Sequence, residues 1–400
     1  MIIAVIGGGA SGMMAALTAS ENEDNSVLLF ERQARTGRKL LATGNGRCNL
    51  TNENLTLSHY HGNSPEFCAY ALKEFDVEKT LAFFRSLGLL TVTEASGRVY
   101  PFSDSANSIA DVLRLHLEQR KNVQIITACE IAGLRKKNGV FTLTSPSQEY
   151  EAERVIVCAG GVAGGKLGGT ELGYKLLASF GHKRTKLRPS LVQLRTDTTL
   201  VRSLKGIRCD ARVQLNGKNW EGELQFTDYG VSGPVIFELS RAISSSKDSP
   251  ELHIDLLRQY SAAELVTILQ HRCASLPHLK AEDLLTGMLH NRLGRTMLRA
   301  AGVAHETLCG SLGLPELDAV AAKIKDFVLT VRGDMGMDCA QVTAGGVYTD
   351  DFNERTMESK LCSGLYAAGE VLDIDGDCGG YNLQWAWSSG RLAGQLRGKE

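Results

Sequence analysis

The sequence has no excess of charge and no long apolar run, and each absence removes a class of protein. Its 44 basic and 45 acidic residues leave a net charge of −1, so the chain as a whole gives no electrostatic case for nucleic acid or an anionic membrane. The mean hydropathy is −0.11, and 43% of the residues are apolar. This balance excludes long disordered, collagenous and transmembrane architectures and predicts a globular protein of two to three domains.

Paired metal ligands and paired cysteines are also missing. The ten cysteines form no C-x-x-C pair, and the nine histidines form no i,i+4 pair, so we predict no metal site and no dithiol relay. The apolar amino terminus has no basic segment and is interrupted by glycines Gly7–Gly9, unlike a secretory signal. These observations predict a cytoplasmic protein without disulfides and without a membrane partner.

Glycine is in excess, with 42 residues, and its first cluster forms a recognisable motif. The spacing Gly7-x-Gly9-x-x-Gly12 follows a short apolar run and precedes a small-residue helix and a second apolar run that ends at Glu31. This order predicts a βαβ dinucleotide-binding unit with the phosphates at the helix N-terminus. We expect Glu31 to accept from ribose hydroxyls and to repel a 2′-phosphate.

The carboxyl-terminal segment bears on the choice between NAD and FAD, which the glycine motif alone leaves open. Gly369 and Glu370 follow a short apolar run, as Gly-Asp does in FAD proteins, and Asp373 is a nearby substitute for Glu370. The segment 379–382 then begins a helix whose first amides are expected to face the flavin pyrimidine edge. This arrangement favours FAD.

Four segments resemble those of the BaiN/RdsA-type (YhiN-like) flavoproteins, which are bacterial FAD-dependent oxidoreductases with an inserted domain. The segments are GRKLLATGNGRCNLTN (37–52), FTDYGVSGP (226–234), VTAGGV (342–347) and AAGEVLDIDGDCGGYNLQWAWSSG (367–390). Combined with the two motifs above, the resemblance implies FAD contacts from Gly7, Gly9, Ala10, Ser11, Gly12, Glu31, Arg32, Lys39, Asn45, Gly46, Arg47, Cys48, Ile131, Ala159, Gly160, Gly161, Gly369, Glu370, Asp373, Asn382 and Leu383.

The fold class expected from the pattern and the resemblance is α/β. It comprises a Rossmann-like, glutathione-reductase-like FAD-binding domain with an inserted β-barrel and helical bundle. After about residue 189 the pattern changes to short strands separated by turn residues, which indicates the insertion. The predicted domains are a discontinuous FAD-binding domain (1–190 and 345–400), a β-barrel-like domain (191–260 and 326–344) and a helical insertion (261–325).

The sequence indicates the electron donor and the substrate less directly than it indicates the cofactor. The glycines of 160–169 lack the spacing of a second dinucleotide motif, so we expect NAD(P)H to dock transiently at the flavin. Members of the family are associated with reducing activated C=C bonds in steroid acids or in a ribosomal uridine, and others with amine oxidation. We predict NAD(P)H-linked reduction of an activated C=C bond in a small molecule. Dihydrouridine synthesis in 23S ribosomal RNA and a non-catalytic flavin redox sensor stay open as alternatives.

Reduction of a C=C bond also requires a proton donor. Cys48, Cys378 and Tyr381 lie in or beside the expected binding loops, and each is a candidate catalytic acid. The alternative for each is a packing role.

Two groups of basic residues provide the candidate contacts to ribosomal RNA. In the second group the spacing i, i+3, i+7 places three arginines on one face of a predicted helix. The alternative is an ordinary solvated surface, and no oligomeric state is predicted. The two groups are Lys183, Arg184, Lys186 and Arg188, and Arg292, Arg295 and Arg299.

Overall fold

The structure, a computed structural model, describes residues 1–244 and 249–398. Residues 245–248 and 399–400, which fall within the predicted barrel and FAD-binding domains, lie outside the described residues. The chain divides into two compact units. The first comprises Met1–Ser190 and Met337–Glu400, and the second comprises Leu191–Gly336.

Two of the described helices begin at clear side-chain caps. Asp76 accepts from the backbone N–H of Lys79 at the start of one helix, and Ser261 and Glu264 form a capping box at another. The described helices are α1 (Ala10–Ala19), α2 (Arg38–Leu41), α3 (Ala69–Glu74), α4 (Val77–Ser86), α5 (Ala106–Glu118), α6 (Leu172–Ala178), α7 (Pro234–Ser244), α8 (Ala262–Ser275), α9 (Asn291–Ala300), α10 (Leu314–Lys325) and α11 (Tyr381–Gly394).

Most strands are short, and turn residues separate them. Those of the first unit are β1 (Ile2–Ile6), β2 (Ser26–Phe30), β3 (Thr51–Asn52), β4 (Tyr60–His61), β5 (Thr91–Thr93), β6 (Arg98–Pro101), β7 (Val123–Ile126), β8 (Gly133–Lys137), β9 (Val140–Thr144), β10 (Glu149–Ala152), β11 (Arg154–Val157), β12 (Arg188–Ser190), β19 (Val342–Ala344), β20 (Leu365–Ala367) and β21 (Asp375–Gly376). Those of the second unit are β13 (Leu194–Thr196), β14 (Arg208–Leu215), β15 (Lys218–Phe226), β16 (Gly230–Ser232), β17 (Glu251–Asp255) and β18 (Phe327–Asp334).

The first unit is built on a five-stranded parallel sheet with the order β20-β11-β1-β2-β7. Val5 of the central strand lies opposite Ile156 on one side and Leu29 on the other. Strands buried on both faces read as continuous apolar runs, which explains the first five residues after Met1. The carboxyl ends of these strands meet at one edge, where open α/β sheets bind ligands. The predicted Rossmann-like fold is confirmed.

Helices α1 and α11 pack closely within this unit, so the first and last helices of the chain meet. A Cβ atom added to Gly390 would lie 2.4 Å from the backbone oxygen of Ser11, and one added to Gly394 would lie 2.6 Å from that of Ala15. Only glycine leaves room for this approach. Small residues in both helices therefore set the position of the α1 N-terminus.

The second unit contains a closed antiparallel barrel with the order β13-β16-β15-β14-β17-β18. In β14, Ala211, Val213 and Leu215 are buried, and the residues between them are more exposed, which is the period-two pattern of a strand with one face in a core. Helices α8, α9 and α10 contribute apolar residues to the same core. The predicted barrel with a helical insertion is thus present.

On the carboxyl side of the insertion, the chain returns to the first unit after Gly336. Residues 337–344 belong to the first unit, because β19 pairs with β12 in antiparallel register, with Thr343 opposite Pro189. The predicted boundary lies at residue 345. Over the described ranges, no helix has the length and apolar character that crossing a membrane requires.

Candidate functional site

A deep cavity lies at the carboxyl edge of the parallel sheet. It encloses about 1290 Å³ of space free of protein atoms, counting the part open to solvent. The predicted residues that line it are Gly7, Gly9, Ala10, Ser11, Glu31, Arg32, Lys39, Ile131, Ala159, Gly160, Gly161, Glu370, Asn382 and Leu383.

The first helix points its N-terminus into this cavity. Met13 N–H donates to Gly9 O in the first turn of α1, so the amides before Met13 precede the intrahelical ladder and are left for an anion. A Cβ atom on Gly9 would find no atom of the described residues within 4 Å, whereas one on Gly12 would lie 1.8 Å from Gly7 O. Gly12 is thus required by packing, whereas a side chain at Gly9 would enter the open space in front of the helix.

Glu31 and Arg32 line the cavity beyond the second strand. The Glu31 carboxylate accepts from the backbone N–H of Gly8 at 2.9 Å and from that of Gln33 at 2.7 Å. Each carboxylate oxygen keeps a further lone pair for a hydroxyl. Among the described residues, buried Nε of Arg32 has no hydrogen-bond partner, although its Nη2 donates to Gly169 O at 3.2 Å. An unpaired buried donor in a cavity wall is what a polar ligand satisfies.

Lys39 and Glu370 form an ion pair in the wall. Lys39 Nζ lies 2.8 Å from Glu370 Oε2, and the two side chains are 29% and 21% exposed. Glu370 Oε1 also accepts from Thr343 N–H at 2.8 Å. A Cβ atom on Gly161 would lie 2.7 Å from this oxygen, so that glycine lets the strand end approach the carboxylate. The pair joins the helix after the first βαβ unit to the segment after β20.

Asn382 holds the loop that precedes α11. Its Oδ1 accepts from Gly376 N–H at 2.8 Å, and its Nδ2 donates to Gly376 O at 2.7 Å and to Asp377 O at 3.3 Å. Leu383 lies beside it in the wall. The first turn of α11 is therefore fixed at the cavity by side-chain bonds to the loop backbone.

Several predicted contacts are placed away from the cavity wall. Gly12 and Gly369 serve close packing, since a Cβ atom on Gly369 would lie 2.6 Å from Ser11 Oγ. Asp373 is buried, and its Oδ2 accepts from Asn63 N–H at 3.1 Å. The structure brings neither these residues nor Asn45, Gly46, Arg47 and Cys48 into the lining.

Long-range contacts explain the position of the segment 45–48. Arg47 pairs with Asp104 and, at 2.9 Å, with Glu94, and its guanidinium lies 3.9 Å from the centroid of the Tyr100 ring. The bonds to Asp104 and Glu94 raise the pKa of Arg47 above its ordinary value. The side chain is therefore already engaged by its own unit.

Cys48 is fully buried, and burial raises the pKa of its thiol to about 12. A general acid is most effective when its pKa lies near the working pH, so a fully buried thiol with so high a pKa is a poor proton donor. This placement favours the packing role of Cys48 over that of a catalytic acid.

Alkylation of the native protein tests this assignment. At about pH 8 we expect iodoacetamide to modify exposed Cys339 and to leave buried Cys48 and Cys158 unmodified. Burial raises the thiol pKa of Cys158 to about 12 as well. Peptide mass spectrometry, with urea-unfolded protein as the control for intrinsic reactivity, measures the difference. Fast native labelling of Cys48 would contradict its placement.

Tyr381 begins α11 with its ring buried against His59. The two rings are stacked with centroids 4.1 Å apart, and Tyr381 Oη lies 3.3 Å from His59 Nε2. Cys378 is half-buried in the preceding loop. Neither residue belongs to the cavity lining, although both flank the loop that Asn382 holds.

Sequence reasoning missed part of the lining. It includes main-chain and side-chain atoms from several separate segments, which only the folded structure brings together. The glycine-rich run 164–169 was a signal for one of them. Among these residues are Gln33, Gly37, Arg38, Thr43, Cys129, Glu130, Leu167, Gly168, Gly169, Thr170, Gln341, Val342 and Trp385.

The predicted basic groups are partly engaged within the protein. Arg292 donates to the backbone oxygens of Ser203 at 3.0 Å and Lys205 at 3.3 Å. Arg295 pairs with Glu282 and Asp283, at 3.3 and 3.2 Å. Arg299 is exposed, as are Lys183, Arg184 and Lys186, and Arg188 lies in β12. The helical stripe is therefore less available to phosphates than its spacing suggested.

Comparison with known proteins gives a family and two kinds of relative. A family model described as HI0933-like protein Rossmann domain matches residues 1–396. A 3-dehydro-bile acid delta(4,6)-reductase from Clostridium scindens is 38% identical over 402 residues, covering 98% of each chain. A ribosomal RNA dihydrouridine synthase from Escherichia coli is 30% identical, covering 96% of this chain and 95% of the relative.

Solved structures share the fold at low sequence identity. FrdA of quinol fumarate reductase from Escherichia coli aligns with a TM-score of 0.50 and 16% identity, covering 99% of this chain and 70% of that one. The Sdh1 complex of Mycobacterium smegmatis aligns with a TM-score of 0.50 and 16% identity, covering 98% and 67%. These likenesses extend to the fold alone.

Proposed function

The chain belongs to the HI0933-like Rossmann-domain family, and on that premise we propose that it is an FAD-dependent oxidoreductase that reduces an activated carbon–carbon double bond in a small molecule. One observation carries the proposal. The cavity at the sheet edge combines a helix N-terminus, the open space before Gly9 and the unpaired Nε of Arg32. These features suit a dinucleotide with a diphosphate and a hydroxylated ribose.

The residues present fit FAD along the length of the cavity. Ala10 and Ser11 at the start of α1 would hold the diphosphate, and Glu31 would accept from the adenosine ribose. Glu370 and Asn382 would hold the opposite half of the cofactor. When bound, FAD supplies hydride acceptance and delivery at its ring system.

We infer the substrate class from the name of the first relative and from the kind of double bond that a hydride donor reduces. That relative, at 38% identity over 98% of both chains, is named a reductase of a 3-dehydro bile acid, in which a carbonyl activates conjugated double bonds. An electron-poor C=C bond is also what a hydride donor reduces. We therefore propose an unsaturated carbonyl compound as substrate.

NADH or NADPH is the proposed electron donor, docking transiently. Among the described residues, the five-stranded sheet is the one sheet built from parallel strands, and its cavity is assigned here to FAD. A second resident dinucleotide has no comparable unit in those residues. The donor is therefore expected to approach the exposed side of the cofactor.

Anaerobic spectroscopy tests the function. We expect purified protein to carry FAD, to bleach on addition of NADH or NADPH, and to regain its colour when a 4,6-dien-3-one steroid is added. A saturated 3-ketosteroid is the matched control, because it lacks the C=C bond. Bleached protein that no unsaturated carbonyl compound reoxidises would contradict the proposed substrate class.

A second candidate is dihydrouridine synthesis in ribosomal RNA. The observation that favours it is the 30% identity to the Escherichia coli synthase across 96% of this chain. The exposed cations Lys183, Arg184 and Lys186 are then the proposed RNA contacts. Mapping dihydrouridine in ribosomal RNA from cells that lack the protein decides this: loss of a modified site selects the RNA substrate, and an unchanged map selects the small molecule.

A further inference from the structure

A cluster of two histidines and one aspartate lies beside the loop that Asn382 holds. Asp377 Oδ2 is 3.0 Å from His59 Nδ1, and Asp377 Oδ1 is 2.6 Å from His61 Nε2. The three side chains are 31%, 31% and 32% exposed for His59, His61 and Asp377. Water therefore reaches all three, while their polar atoms are held by one another.

The bonds fix the protonation pattern of His59. A carboxylate accepts, so Nδ1 of His59 carries the hydrogen that points to Asp377. Nε2 is then the nitrogen that gains and loses the second proton. It faces Tyr381 Oη at 3.3 Å, a long contact, and the stacked Tyr381 ring holds the imidazole plane in place. An aspartate that orients a histidine in this way is the arrangement that general acid–base catalysis uses.

The cluster is joined to the cavity by the backbone. Asn382 lines the cavity and donates to Asp377 O, while Asp377 N–H donates to His59 O at 2.9 Å. Strand β21 pairs with β4, so Asp375 lies opposite His61. These bonds tie the segment that carries His59 and His61 to the loop of Asp377, and through Asp377 to Asn382 in the cavity lining.

We propose that His59 donates the proton, and that Asp377 is its positioning residue, in the reduction of the unsaturated substrate; this rests on the proposed function. The double bond gains a hydride on one carbon and a proton on the other. The hydride, with its two electrons, comes from the reduced nicotinamide named above. The proton leaves His59 Nε2 as the π bond breaks and the new C–H bond forms, and neutral His59 regains a proton from solvent.

The charged surroundings agree with this assignment. Burial by itself raises the pKa of Asp377, but the bonds from His61 and His59 outweigh it and lower that pKa below its usual value, so Asp377 is a carboxylate at neutral pH. Other titratable groups around His59 include His61, which shares Asp377, the Tyr381 phenol, and the Tyr60 phenol, which donates to Tyr381 O. Buried Asp375 lies opposite His61 in the strand pair.

Stopped-flow kinetics of the two half-reactions test the proposal. We expect His59→Gln to be reduced by nicotinamide at the wild-type rate but reoxidised by the unsaturated ketone about a hundredfold more slowly, the size of a general-acid contribution. Asp377→Asn is expected to slow the same half-reaction and to change its pH profile. The control is His253→Gln, which removes a similar imidazole–carboxylate pair with Asp326, at 2.8 Å, in the second unit.

Nitrogen NMR of the FAD-free chain, labelled at histidine, gives a readout independent of turnover. We expect the His59 signals to report hydrogen at Nδ1 in the wild type and to change tautomer in Asp377→Asn. The same His59 tautomer in wild type and Asp377→Asn would overturn the proposal. So would His59→Gln protein that is reoxidised at the wild-type rate. Wild-type protein that is reduced but never reoxidised by any unsaturated carbonyl compound would instead overturn the proposed function.

Discussion

Replacing Gly9 by valine is expected to give a folded protein that retains almost no FAD. Gly9 has φ −80° and ψ −166°, an extended conformation that valine adopts without strain. Within residues 1–244 and 249–398, no atom lies within 4 Å of the position of its Cβ, so the side chain enters the open cavity. That space lies in front of the α1 N-terminus, where the diphosphate is expected. Valine and diphosphate compete for the same volume.

The effect on binding is expected to be large and the effect on stability small. Losing the phosphate contacts raises the FAD dissociation constant by on the order of a hundredfold or more, equivalent to about 3 kcal/mol. Valine is a poorer N-cap than glycine, which costs about 1 kcal/mol of folding free energy. The ratio of flavin to protein absorbance measures the first, and urea unfolding of FAD-free protein measures the second.

Gly398→Val is the matched control for this substitution. Among the described residues, no atom lies within 4 Å of the Cβ position of Gly398, and Gly398 lies outside the cavity lining. We expect it to keep full flavin content. Gly9→Val protein that is as yellow as the wild type would mean that the diphosphate does not lie at the first helix, and the cofactor assignment would be wrong.

The part of the site closest to the glycine motif was predictable because it is local in sequence. Gly7, Gly9 and Glu31 belong to one strand–turn–helix–strand unit, whose geometry follows from the spacing. The structure places all three at the cavity. The family, the Rossmann-like fold class and the prediction of an oxidoreductase are confirmed on the same basis, since the family model covers residues 1–396 and the 38% identical relative is a reductase.

Other contacts depend on pairings that spacing does not encode. Arg47 is drawn to Glu94 and Asp104 on separate segments, which turns it from the cavity despite its place in a binding-loop motif. Residues 337–344 join the first unit through the pairing of β19 with β12. Asp377 meets His59 and His61 from more than 300 positions away. Each is a tertiary contact between distant segments, so one sequence without a structure gives no sign of it.

Replacing Gly390 by alanine is expected to disturb the contact between α1 and α11 and to lower both stability and FAD binding. Gly390→Ala places a methyl group 2.4 Å from the backbone oxygen of Ser11, and backbone cannot move aside as a side-chain tip does. In an isolated helix, alanine is more stable than glycine by about 0.5–1 kcal/mol. Helix propensity alone would therefore stabilise the variant, and a loss of stability would be due to the clash. We expect a net loss of about 2–3 kcal/mol, typical of overpacking in a core.

The same clash displaces Ser11, which lies in the first turn of α1 and lines the cavity. Gly390→Ala is therefore expected to weaken FAD binding as well as folding, although residue 390 does not line the cavity.

Gly294→Ala is the control. It adds the same methyl group to a helical glycine of the second unit, where the nearest atom is Leu285 Cβ at 2.9 Å, a side-chain rather than a backbone neighbour. Its stability loss is expected to be smaller and its flavin content normal. Thermal unfolding with and without added FAD measures both effects. If Gly390→Ala proved as stable and as yellow as Gly294→Ala, the last helix would not set the position of the phosphate-binding turn.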